Sequence, residues 1–266
     1  MVALIGHAAA AVWVYMTLLY VLAQAKKNNA FADVGWGLGF IVVLGVLWVL
    51  RPEGNGPKVL VAAMVVLWGA RLTGHIFLRN RGKEEDFRYA RMRRQWGRRY
   101  LLKAYVFVFM LQGIFMTAIS LSPIAVFSSG RRPLSVWDAL GAAVFAAGFC
   151  FEAVGDWQLR RFLRRPENSG RLMTEGLWAW TRHPNYFGEA ALWWGIGFVA
   201  VQAEHGWAAL ASALTITVLV RFVSGVPLLE KKYAGREDFE AYKKRTSVFF
   251  PLPPRPPVAE KSKTDR

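Results

Sequence analysis

The sequence predicts an all-α integral membrane protein of about seven transmembrane helices, with its N-terminus outside and its C-terminus cytoplasmic. Three observations carry that expectation. Hydrophobic residues make up 54% of the 266, and they gather into long uncharged runs of about the 20 residues that an α-helix needs to cross a bilayer. The 34 Lys and Arg outnumber the 18 Asp and Glu and concentrate on alternate loops, the pattern of cytoplasmic segments in multi-pass proteins. A single cysteine, Cys150, forms no internal disulfide, which removes a disulfide-stapled secreted fold.

The expected spans are Ala3–Ala23, Ala30–Leu50, Lys58–Leu78, Ala104–Phe127, Val136–Val154, Tyr186–Gln202 and Trp207–Ser224. The first lacks a basic leader and a small-residue cleavage site, so it is read as an anchor. Loops after spans one, three and five, with the tail beyond Ser224, hold 28 of the 34 basic residues. One face should therefore concentrate anions, whether an anionic cofactor or lipid headgroups. Charge sorted by membrane side also argues against nucleic acid as a partner, and the sequence points to no obligatory protein partner. The chain is read as one polytopic domain over residues 1–250, with a Pro-rich disordered tail at 251–266. It belongs in a membrane with its site facing the cytoplasm, the inner membrane if the source is bacterial.

Between spans three and four, RNRGKEEDFRYARMRRQWGRRY (79–100) mixes good helix formers with both charges and reads as a short interfacial helix. Span five continues into DWQLRRFLRR with no stop before Pro166, which puts Asp156, Arg160 and Arg164 on one helical face. The richest stretch is GLWAWTRHPNYFGE (176–189), where Arg182, His183, Asn185, Tyr186 and Glu189 stand at the mouth of an apolar run. His183 precedes a proline and so resists helical geometry. Polar side chains at that depth cost free energy unless they are paired, and five in eight residues exceed the needs of a helix cap.

Five ordered blocks carry a family resemblance: DVGWGLGF (33–40), NRGKEED (80–86), LQG (111–113), TRHPNYFGE (181–189) and SGVPLLEKKYAGREDFEAYKKRTSVFFP (224–251). Together they resemble the bacterial branch of the steroid 5-alpha-reductase superfamily known as DUF1295. The superfamily also contains sterol reductases and, more distantly, isoprenylcysteine and phospholipid methyltransferases. The resemblance implies a seven-span helical fold with the substrate side mainly at 1–127 and the cofactor side mainly at 136–250. It implies NADPH as cofactor, held by Asp156, Arg164, Arg171, Asn185, Glu189 and Arg221. Glu152 and Gly225 stand where the steroid enzymes have an Asn and a His, and Leu229 where they have a Tyr. The implied activity is reduction of an activated C=C bond in a steroid-like or other lipid, with membrane lipids as surroundings.

The residues themselves are compatible with that chemistry. A pyrophosphate and a 2′-phosphate need several fixed cations, and Arg160, Arg161, Arg164, Arg165, Arg171 and Arg182 supply bidentate donors. Gly35, Gly37 and Gly39 form no dinucleotide fingerprint and read as close helix packing. Four scattered histidines give no metal-ligand spacing, so no metal site is expected. The third span, LWGARLTGHIF, lacks the Tyr that steroid reductases use for protonation and offers Arg71 and His75 instead. Asp33, with His75 or Tyr186, is the expected proton-donating end of the substrate pocket. Asp33 as the N-cap of span two, and His75 as an interfacial structural histidine, are the plain alternatives. Glu230, just past span seven, could orient a cofactor-binding arginine. With His183 and the FxxYxxR run Phe239, Tyr242 and Arg245, it also resembles the methyltransferases. The competing class is thus S-adenosylmethionine-dependent methyl transfer to a lipid or an isoprenylcysteine-type thiol. Arginine number favours NADPH, since one carboxylate and one adenosine need fewer cations. Phe239, Tyr242, Phe249 and Phe250 could simply lie on the membrane.

Overall fold

The computed structural model describes residues Met1–Arg255. Among them the regular structure is helical, and a lone parallel bridge pairs Thr181 with Ser247. The helices are α1 (Val2–Ala25), α2 (Ala30–Leu50), α3 (Gly56–Asn80), α4 (Phe87–Trp96), α5 (Tyr100–Ala104), α6 (Leu111–Ile119) and α7 (Leu121–Ser128). They continue as α8 (Val136–Leu163), α9 (Leu177–Trp180), α10 (Pro184–Ala200), α11 (Trp207–Val218), α12 (Val226–Tyr233) and α13 (Glu237–Arg245). Wider π-helical turns at Tyr105–Met110 and Leu219–Val223 interrupt two of the apolar stretches.

Among the described residues, six segments are long and apolar enough to cross a membrane: Val2–Ala25, Ala30–Leu50, Gly56–Asn80, Phe87–Ile119, Val136–Leu163 and Ala209–Tyr233. The sequence predicts seven, and the difference is α10. Its 17 residues rise about 25 Å at 1.5 Å each, short of the roughly 30 Å hydrocarbon core. Helix α8 runs unbroken past Val154 to Leu163, as the lack of a stop signal predicts.

The chain divides into two compact units, one of Met1–Phe145 with Trp193–Thr215, the other of Ala146–Leu192 with the described residues from Ile216 on. In the first, the three glycines of α2 each meet a different neighbour. A Cβ at Gly35 would lie 2.4 Å from Leu19 of α1, at Gly37 2.4 Å from the Gly69 carbonyl of α3, and at Gly39 2.4 Å from Met116 of α6. The GxGxG spacing is therefore a packing device, as expected. Phe40, Trp68 and Trp193 form the aromatic centre of this unit, with ring centroids 5.1–5.2 Å apart.

Glycines also set the approach of α8 to α10. In the first unit Gly141 faces Gly195, a Cβ on either lying 2.6 Å from the other's carbonyl oxygen. In the second, Gly148 and Gly188 do the same at 2.7 and 2.5 Å, and Gly155 meets the Pro184 ring. Spacing of seven residues on both helices keeps the small faces aligned over two turns each time.

The expected disordered tail begins with chain that is held. The Leu252 amide donates to the Trp180 carbonyl (3.0 Å) and the Arg255 amide to the Arg245 carbonyl (2.9 Å). The remainder of that expectation, 256–266, lies outside the described residues.

Candidate functional site

In the second unit, the TRHP stretch is extended chain between α9 and α10. His183 cannot join α10 because Pro184 opens it, and the backbone of 180–182 pairs instead with the segment after α13. The Arg182 amide donates to the Ser247 carbonyl (2.8 Å) and the Thr181 hydroxyl to the Phe249 carbonyl (2.8 Å). Trp178 donates its indole N–H to the Gly155 carbonyl (3.0 Å), and the Tyr242 hydroxyl donates to the Trp178 carbonyl. Phe239, Tyr242 and Phe249 are consequently buried, while Phe250 is 66% exposed. Three of the four tail aromatics thus serve this unit's interior rather than a membrane surface.

This frame holds a polar cluster. Glu230 Oε1 accepts from Arg182 Nε at 2.7 Å and faces His183 Nε2 at 3.3 Å. Arg182 is only 8% exposed and also donates through Nη1 to the Thr246 carbonyl at 2.6 Å. His183 is 5% exposed and stacks on Tyr186, ring centroids 5.7 Å apart and planes 17° from parallel. A carboxylate beside Nε2 selects the tautomer with its proton there, leaving Nδ1 a lone pair. That Nδ1 is buried with no hydrogen-bond partner among the described residues. Beyond Pro184, the Asn185 amide donates to Asp156 Oδ1 at 3.1 Å, tying α10 to α8.

Three cavities adjoin along the 171–176 loop, which is a wall of each, and one of them reaches the cluster. The smallest, about 160 Å³, is lined by Arg171, Arg182, His183 and Glu230 among apolar and aromatic side chains. The largest, about 650 Å³, includes Arg171, Tyr242, Arg245 and Thr246. The third, about 230 Å³, includes Trp157, Arg161, Arg165 and Glu175. Gly176 ends the shared loop with φ +60°, where a Cβ would strike the Gln158 side chain that accepts the Leu177 amide.

Of the residues the sequence singles out, Arg182, His183, Tyr186 and Glu230 come together, and Asp156 pairs with Asn185. Glu152 is buried on α8, its amide against Gly188; Arg160, Glu189 and Arg221 are half-buried, and Arg164 and Arg171 exposed. The arginine beside Glu230 is Arg182. That same ion pair occupies a guanidinium expected for phosphate. Trp178 and Thr181 hold the frame without being singled out within the 176–189 stretch, and Tyr242 of the FxxYxxR run joins them through the Trp178 carbonyl.

Burial pushes the His183 pKa below its ordinary value, and the facing Glu230 only partly offsets this. The folded protein therefore binds a proton here less readily than the unfolded chain does. Stability from this group is complete above about pH 6.5 and is lost as pH falls toward the depressed value. Between pH 7.5 and 5, melting of His183→Gln should shift less than that of the unsubstituted protein.

Asp33 belongs to the first unit. It lies in the first turn of α2, whose N-cap position is taken by Asn29, so the capping alternative does not apply. Its Oδ1 accepts from the Tyr89 hydroxyl at 2.7 Å and its Oδ2 from Arg88 Nη2 at 3.0 Å. The DVGWG and NRGKEED blocks thereby meet, because Asp86 caps α4 and also binds Arg88 at 2.9 Å. Burial raises the Asp86 pKa, but the hydrogen bonds from Arg88 outweigh it and hold the carboxyl below its ordinary value. His75 is half-buried on α3. Asp33→Ala should free α4 at a cost of about 1–2 kcal/mol, read as faster tryptic cleavage within residues 88–99.

A family model described as "Protein of unknown function (DUF1295)" matches residues 19–246. The chain belongs to this family. DUF1295 is steroid 5-alpha-reductase-like, so the resemblance drawn from the five blocks holds over most of the chain. A relative from Schizosaccharomyces pombe, uncharacterized protein C594.04c, is 26% identical over 220 residues, covering 72% of this chain. The chain spans 62% of that relative's length. No solved structure matches this DUF1295 chain.

Proposed function

We propose that this protein is a membrane-embedded, NADPH-dependent reductase of an activated C=C bond in a steroid-like or other lipid. The observation that carries this reading is the set of Arg161, Arg165, Arg171 and Arg245. All four line the adjoining cavities, and none has a carboxylate partner among the described residues. Permanently charged, forked donors that are not ion-paired within the protein suit a phosphorylated dinucleotide. The buried Nδ1 of His183 adds an acceptor awaiting a donor. When bound, the nicotinamide supplies a hydride. The chain's own residues supply charge, orientation and a proton. Arg171, common to two cavities, holds phosphate; Arg182 and Glu230 fix His183; and Asn185 with Asp156 braces the mouth of α10.

Among Asp33, His75 and Tyr186, the phenol of Tyr186 best fits a proton donor. Both Asp33 oxygens already accept from Arg88 and Tyr89, whereas Tyr186 stacks in the cofactor-side cluster. In this reading α10 is a seventh, thin crossing, the N-terminus is outside, and the arginine-rich site faces the cytoplasm.

One observation favours the second reading, methyl transfer from S-adenosylmethionine to a lipid or an isoprenylcysteine-type thiol. The ion pair of Arg182 with Glu230 removes a cation from the phosphate count. Thermal shift of detergent-purified protein separates the two, because a ligand at 100 times its Kd stabilises by about 2.7 kcal/mol. NADPH should raise the melting temperature more than NADH does. A shift with S-adenosylmethionine alone would overturn the reductase.

A further inference from the structure

Helix α4 and the turn after it carry two kinds of arginine. Arg88 and Arg93 face inward: Arg88 binds Asp33 and Asp86, and Arg93 binds Glu85 at 2.9 Å and lies 4.2 Å over the Tyr100 ring. The backbone amide of Asn29 donates to the same Glu85 oxygen, also at 2.9 Å. Arg91, Arg94, Arg98 and Arg99 are exposed, with no ion-pair partner among the described residues. The acids of this segment are thus turned inward, apart from the exposed Glu84. What remains outside is a cluster of guanidiniums on a helix pinned by half-buried ion pairs.

The position of that cluster identifies its partner. Residues Phe87–Ile119 form one membrane-crossing candidate, and the exposed Leu101, Leu102 and Phe107 follow the arginines directly. With that apolar stretch in the hydrocarbon, the arginines stand at headgroup depth. Juxtamembrane basic clusters of this size attract anionic lipid, and guanidinium forks match phosphate oxygens. We propose that α4 and the 97–99 turn form a docking surface for anionic phospholipid headgroups. The inward ion pairs hold the helix in place, so little order is lost when lipid binds. This surface lies in the first unit and does not depend on the activity proposed above.

The test is thermal melting of the full-length protein in detergent, with added phosphatidylglycerol, phosphatidylcholine or inorganic phosphate. Phosphatidylglycerol should raise the melting temperature about 5 °C further than phosphatidylcholine does, and inorganic phosphate should not reproduce the gain. A fourfold Arg91→Gln, Arg94→Gln, Arg98→Gln, Arg99→Gln variant should melt normally in phosphatidylcholine but lose the phosphatidylglycerol preference. Arg131→Gln, which removes an exposed arginine elsewhere, should keep it. Single Arg94→Gln and Arg98→Gln variants should each lose part of it, and they decide the matter if the fourfold variant does not purify. No preference in the unsubstituted protein, a preference that survives substitution, or an equal gain from inorganic phosphate each overturns the proposal.

Discussion

Arg182→Ala is expected to lower the melting temperature of the detergent-purified protein by about 6–12 °C, corresponding to roughly 3 kcal/mol. Arg182 is 8% exposed, and its guanidinium joins three parts of the second unit: its own extended stretch, Glu230 on α12 and the Thr246 carbonyl after α13. Truncation leaves Glu230 facing only His183 and strips a buried carbonyl of its donor, and uncompensated buried polar groups dominate such losses. Glu230 keeps some contact with water, so the lower end of the usual range applies. Arg182→Lys should recover little, since an ammonium cannot reach carboxylate and carbonyl with a rigid fork. The 245–252 segment should exchange its amide hydrogens faster in both variants. Melting unchanged by Arg182→Ala would mean that the ion pair does not organise the unit.

Gly188→Leu is expected to cost about 3 kcal/mol or more, read as loss of folded yield or a comparable drop in melting temperature. A Cβ there would sit 2.4 Å from the Glu152 amide nitrogen and 2.5 Å from the Gly148 carbonyl oxygen. Both are backbone atoms of α8, so relief requires the helices to separate rather than a side chain to swing away. Gly45→Leu is the matched control, because nothing lies within 4 Å of a Cβ at Gly45. Its melting should be unchanged or slightly raised, since leucine favours helix over glycine. Equal melting of the two variants would rule out the glycine contact as the determinant of α8–α10 packing.

The sequence made the helices legible because the apolar runs are local signals, and the His183–Pro184 break because proline acts on its immediate neighbour. The GxGxG of α2 was legible as packing, though which helix each glycine meets was not. What stayed hidden depends on distant partners. Arg182 reads locally as one more phosphate-binding cation, yet its carboxylate is Glu230, 48 residues on. Asp33 reads as a cap or an acid until Arg88 and Tyr89 close on it from another block. The aromatics of the tail have a periodicity that suits a membrane surface as well as a core. Only the pairing of 180–182 with 247–252 decides where Phe239, Tyr242 and Phe249 lie.

The most direct measurement is the NADPH affinity of the purified protein beside that of an Arg171→Ala, Arg245→Ala variant, titrated by tryptophan fluorescence. The site drawn here gives saturable binding that weakens about 30-fold or more in the variant, the equivalent of roughly 2 kcal/mol of charge-assisted hydrogen bonding. Unaltered NADPH affinity in the variant, or no NADPH binding where S-adenosylmethionine binds, would contradict it.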